Sequence, residues 1–174
     1  LNINNVELIQ MDILEASLLE EKFDIIECSG VLHHMDDPSK GLRALLDILK
    51  NNGFLKLGLY SEIARQDIVE ARNYISGKQL QANEENIREF RETVFSGKTP
   101  ELNSLTKSTD FYTLSSCRDL CFHAQEHRFS INQLEETFKS NKLKFLGFLL
   151  QQPVKSLYKR YFPEDQAQTN LQNW

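Results

Sequence analysis

The chain has 174 residues, 40% of them hydrophobic and 26% charged, a size and balance that support one globular domain with a buried core. Its net charge of −5 and the lack of any basic run disfavour generic binding to nucleic-acid phosphates. The apolar runs fall far short of the roughly 20 residues that span a bilayer, so no membrane partner is expected. Cys28, Cys117 and Cys121 form an odd, sparse set that suits a reducing, cytoplasmic setting better than a disulfide framework. Cys117 and Cys121 lie four apart, but two thiols alone make a poor zinc site, and no metal is expected. The start at Leu1, with no signal-peptide pattern, reads as a fragment or excised domain.

In chain order, Val6 to Gln10 reads as a short strand with Asp12 at its carboxyl end. Residues 15 to 21 form a loop or a single helical turn. Phe23 to Cys28 is the second strand, and its near-continuous apolar run suggests burial on both faces. Asp36 or Asp37 caps the next helix, with Pro38 in its first turn. Leu42, Leu45, Leu46 and Leu49 then give one apolar stripe, and Asn51-Asn52-Gly53 ends the helix. Phe54 to Tyr60 is a third strand, which completes a βαβ unit. Helices are expected over 62–76 and from Glu84 to Phe95, then a loop over 96–110. Residues 111–129 carry no clear pattern. Ser130 and Gln133 match a capping box for a further helix, and Lys144 to Leu150 reads as a fourth strand. From 151 to 174 the chain is a polar tail.

The run Phe23-Asp24-Ile25-Ile26-Glu27-Cys28-Ser29-Gly30-Val31-Leu32-His33-His34-Met35-Asp36-Asp37-Pro38 is a strand that ends in small residues, then a histidine pair and a capped helix. It resembles the fourth-strand motif of class I S-adenosylmethionine-dependent methyltransferases. The Asp-Phe-Tyr, Cys-Arg-Asp-Leu and Glu-His-Arg-Phe-Ser pieces across 110–130 resemble a bacterial subgroup often found beside tetratricopeptide repeats. The resemblance implies an α/β fold. It would be an incomplete Rossmann-like methyltransferase sheet with counterparts of strands 3, 4, 5 and 6, in a partial domain over 1–150 whose residues 61–129 form a helical insertion. It implies S-adenosylmethionine as cofactor and an unknown methyl acceptor, with a tetratricopeptide-repeat region as a candidate neighbour in the same parent chain. No two of the seven glycines form the family's Gly-x-Gly, so the isolated fragment is expected to be marginal or rearranged and not to bind cofactor normally.

By position in that family, Asp12 accepts the adenine amino group and Ile13 offers a backbone amide, while Cys28, Ser29 and Gly30 line the cofactor side. The plain alternatives are a solvated turn aspartate and a simple strand-to-loop turn. His33 and His34 are candidates for a base or for the acceptor-pocket wall. Tyr112, Arg118, His123 and His127 are candidates to face the acceptor, or else they knit a cover onto the sheet. The sharpest rival reads His123-Ala-Gln-Glu126-His127 as the inverted zinc-peptidase motif, with both histidines on one helix face. Two further rivals are a degenerate methyltransferase-like interaction module and another open-sheet nucleotide-binding protein, such as half of a dehydrogenase.

Overall fold

A computed structural model describes residues 4–174, so the first three residues of the expected 1–150 domain lie outside the described residues. The chain divides into two compact units, Leu1–Arg128 and Phe129–Trp174. The division expected at residue 150 falls inside the second of them.

The first unit begins with a 3-10 helix, Ile13–Leu19, capped by Asp12, whose Oδ1 accepts the Leu14 N–H at 2.9 Å. Strand β1 (Phe23–Ser29) leads through a short 3-10 turn, Leu32–His34, into α1 (Pro38–Ile48). Asp37 caps α1 by accepting the Ser39 N–H, and this hydrogen bonding, led by the Ser39 hydroxyl, holds its carboxyl below the usual range. Strand β2 (Leu49–Gly58) returns parallel to β1, with Ile25 opposite Phe54 and Ser29 opposite Gly58. The helix stops at Ile48, so Leu49 opens the strand instead of closing the helical stripe. Asn51-Asn52-Gly53 lies within β2, where the register is irregular and Asn52 takes a left-handed φ of 63°.

Helix α1 covers one face of this pair, where Cys28, Leu32, Leu42 and Leu45 form a buried cluster against Ile13, Ile26 and Leu57. Ile25 (68% exposed) and Phe54 point from the other face to solvent, so β1 is buried on one side and not on both. The expected strand at Val6–Gln10 is not a strand, and Leu8 is 92% exposed there. The sheet of the described residues has two members, and an extended segment without a neighbour leaves its N–H and C=O groups to water.

Helices α2 (Gln66–Gly77), α3 (Glu84–Phe95) and α4 (Leu114–Cys121) form the rest of this unit. The stretch expected as a loop over 96–110 is largely a 3-10 helix, Pro100–Lys107, because Leu102 and Leu105 are fully buried against Phe90, Phe111 and Cys117. All three cysteines are free and buried.

In the second unit, α5 (Ile131–Ser140) starts with the complete Ser130–Gln133 capping box. The expected strand Lys144–Leu150 is irregular, with Leu149 77% exposed and no strand of the described residues beside it. The polar tail contains α6 (Gln152–Tyr161). Among the described residues no helix is long and apolar enough to cross a membrane.

Candidate functional site

Two parallel strands present their carboxyl ends side by side, the place where open α/β sheets receive ligands. At that edge the side chains are small. The Gly30 N–H donates to the Gly58 carbonyl at 3.5 Å, tying the two tips together. Gly30 has φ 78° and open space where a Cβ would stand, so its backbone is approachable from outside. Gly58 is glycine for a steric reason, since a Cβ there would meet the Ser29 Cβ at 2.9 Å. Cys28 is buried beneath, and burial pushes its thiol pKa up. Ile13, which follows Asp12, packs against the buried cluster of Cys28, Leu32, Leu42 and Leu45. Asp12 is exposed, and one carboxylate oxygen is engaged in its capping bond.

The histidine pair follows. His33 is 1% exposed, with its ring 3.9 Å from that of Tyr60. Neither of its ring nitrogens has a hydrogen-bond partner of good geometry among the described residues. Burial first, and the adjacent His34 second, push its pKa below the usual histidine value. His34 is half-buried and stacks on His123 with centroids 3.9 Å apart. Its Nδ1 lies 3.0 Å from the Gln125 carbonyl. A carbonyl only accepts, so neutral His34 carries its proton on Nδ1 and its lone pair on Nε2. Burial, then His34, also lowers the pKa of His123.

Residues 125–127 fasten this loop. The His127 N–H donates to the His33 carbonyl at 2.7 Å, and the Gln125 amide reaches the Met35 carbonyl at 3.3 Å. Between them, the fully buried Glu126 carboxylate receives both Nε and an Nη of Arg65, with Arg128 3.8 Å away. Arg65 in turn lies over the Tyr60 ring, 3.9 Å from its centroid. A buried carboxylate is tolerable only with such pairing.

Beside this cluster opens a cavity of about 320 Å³ lined by Tyr60, Arg65, Asp110, Ser116, Asp119, Leu120 and His123. Of the four residues expected to face an acceptor, His123 lines it. His127 belongs to the clamp, with its Nε2 3.1 Å from the Gln125 amide. Tyr112 is 54% exposed, and its hydroxyl donates to the Thr106 carbonyl; Arg118 is exposed on α4. Neither lines the cavity. Residues 123–127 are irregular, so His123 and His127 do not share a helix face, and the geometry that the zinc-peptidase reading requires is not formed. Among the described residues no group of three or more His, Cys, Asp or Glu side chains is arranged to hold a metal.

Tyr60, Arg65 and Gln125 had no site role in the sequence reading, in which Tyr60 only ended the third strand. Tyr60 was discoverable, because it lies two residues past the end of β2, and the rule that singled out the end of β1 applies equally to β2. Nothing local marks Arg65 or Gln125.

Comparison with known proteins gives two findings. Residues 1–57 match a family model described as a methyltransferase domain. An uncharacterized protein of Synechococcus is 33% identical over 148 residues, which cover 80% of this chain and 35% of that protein, so the likeness extends well past the matched stretch. The chain spans about a third of the length of this relative. The matched stretch holds β1, the histidine pair, α1 and nearly all of β2, the elements that build the strand-tip edge, and its similarity to a methyltransferase domain supports the resemblance to class I S-adenosylmethionine-dependent methyltransferases.

Proposed function

We propose that this chain is the downstream part of an S-adenosylmethionine-dependent methyltransferase domain and that the tips of β1 and β2 form one wall of its cofactor slot. One observation carries the reading: the approachable backbone at Gly30, tied to Gly58 at the paired carboxyl ends of two parallel strands, lies inside the matched family stretch. These residues fit the group. The cofactor supplies, when bound, a methyl group activated on a sulfonium. Ser29 and Gly30 admit a ligand against bare backbone, and Cys28 supports them from below. Asp12 has a second carboxylate oxygen with which to accept the adenine amino group, next to the Ile13 amide. His34 serves as the base for a neutral nucleophile, through the Nε2 that its bond to Gln125 leaves unprotonated. His33 and Tyr60 form a dry wall behind it. The 320 Å³ cavity with His123 in its lining is the acceptor side.

The test is a thermal shift on the natural full-length protein with S-adenosylmethionine and, separately, with nicotinamide dinucleotides. S-adenosylmethionine raises the melting temperature, and Asp12→Ala weakens its binding about tenfold through loss of a charged hydrogen bond. The 1–174 chain alone, which has no Gly-x-Gly, shows little shift. Stabilisation by a nicotinamide dinucleotide alone would replace this reading with the dehydrogenase one. Stabilisation by neither would leave an interaction module.

A further inference from the structure

We propose that the second unit carries a surface that docks onto anionic lipid membranes, formed by α6 and the extended segment before it. The inference rests on residues 142–162 and is independent of the methyltransferase reading. This stretch holds five basic side chains (Lys142, Lys144, Lys155, Lys159 and Arg160) and no acidic one, in a chain whose net charge is −5.

The unit has an aromatic cluster of its own, with Tyr158 buried and the other rings half-buried. Phe138 stacks on Phe145, Phe145 meets Phe148 edge-on, and Phe148 meets Trp174 edge-on. Tyr158 turns inward from α6 and stacks on Trp174 at 4.1 Å. With that cluster formed, Leu146, Leu149, Val154, Leu157 and Tyr161 still face outward, 44–77% exposed. Val154, Leu157 and Tyr161 are spaced three and four residues apart, which makes one continuous stripe on α6. Lys159 and Arg160 are exposed on the same helix, Arg160 beside the stripe and Lys159 on its polar face, and exposed Lys142 and Lys144 precede Leu146 in the extended segment.

A ten-residue helix is about 15 Å long and cannot span a bilayer. A short helix with an apolar stripe, basic neighbours and low overall hydrophobicity lies in the plane of the headgroups instead. Tyr161 suits that depth, with an apolar ring and a polar tip. The expectation of no membrane partner rested on the lack of a spanning run, which does not bear on a helix that lies on the surface. Charge selects the occupant. A second copy on the same stripe would bring the basic side chains of two α6 helices together, whereas anionic headgroups neutralise them while the stripe is buried.

The experiment is flotation of the whole chain with vesicles of phosphatidylcholine alone and of phosphatidylcholine with about one-third phosphatidylserine. The chain floats with the anionic vesicles and stays behind with the neutral ones, and binding falls as salt is raised. Leu157→Glu combined with Tyr161→Glu abolishes flotation. Lys159→Glu combined with Arg160→Glu reduces it by at least about tenfold, following roughly fivefold per lost cation. All four positions are exposed, and an unchanged melting temperature shows that the variants fold. Failure to float with anionic vesicles, or equal flotation with both kinds, overturns the proposal. So does a concentration-dependent dimer that Leu157→Glu disperses, because the stripe would then belong to a second copy.

Discussion

His33 and His34 are chemically identical neighbours, yet the fold gives them different work. One is sealed against Tyr60, with no well-aligned hydrogen-bond partner for its ring nitrogens among the described residues; the other is held by the Gln125 carbonyl with a nitrogen to spare. This difference has a consequence for pH. His33 and His123 are both shifted below the ordinary histidine value in the folded chain, first by burial and then by His34. Above about pH 7.5, well above the ordinary histidine value, folded and unfolded chains alike keep these rings neutral, and their effect on stability is constant. As the pH falls below that, the unfolded chain takes up protons first, and stability drops until the lowered folded-state values are passed. Urea midpoints measured from about pH 7.5 down to 5 therefore decline, and His33→Phe, which keeps a ring against Tyr60, flattens the decline. An equally steep fall in that variant would assign the loss to other groups. The histidine pair and the small residues at the end of β1 were legible in the sequence, since both follow directly from a strand run. The stacking of His34 on His123 and the burial of Glu126 by Arg65 were not, because each joins residues far apart in the chain that only the packed helices bring together.

At the level of elements, the loops at the strand tips are held by backbone contacts that tolerate little addition. Gly58→Ala sets a methyl group 2.9 Å from the Ser29 Cβ and about as close to its Cα, which pushes the paired tips apart and strains the Gly30 to Gly58 hydrogen bond. A loss of about 1–3 kcal/mol in denaturant unfolding is expected, in line with overpacking elsewhere. A change below about 0.5 kcal/mol would show that the edge yields freely. Helices were readable where the chain writes its own boundaries. Asp37 and Pro38 start α1, Ser130 and Gln133 start α5, and α3 keeps its apolar spacing from end to end. Strands were less so. Val6–Gln10 and Lys144–Leu150 have the composition of strands, but a strand needs a partner along its edge, and composition does not supply one. The reverse error occurred at Pro100–Lys107, where polar residues masked two leucines that the helical core buries completely.

Over the whole molecule, each unit contains its own apolar cluster. One is built from α2, α3, α4 and the Pro100–Lys107 helix, with the smaller cluster under β1 beside it; the other is built from aromatic rings around Tyr158. The family match falls entirely on the first, and it accounts for the strand-tip edge without accounting for the basic, apolar surface of α6. Separate clusters allow separate unfolding. The chain's one tryptophan, Trp174, sits in the second unit between Tyr158 and Phe148, with its indole N–H donated to the Gln168 carbonyl. Most of the helix lies in the first. In urea, indole emission and far-ultraviolet ellipticity are expected to give different midpoints, whereas a single shared midpoint would mean one cooperative body. The lone indole is thus a ready-made optical label. Excited selectively, it shows whether a lipid, a salt or a substitution has disturbed the last 46 residues, with no dye attached and no background from the rest of the polypeptide.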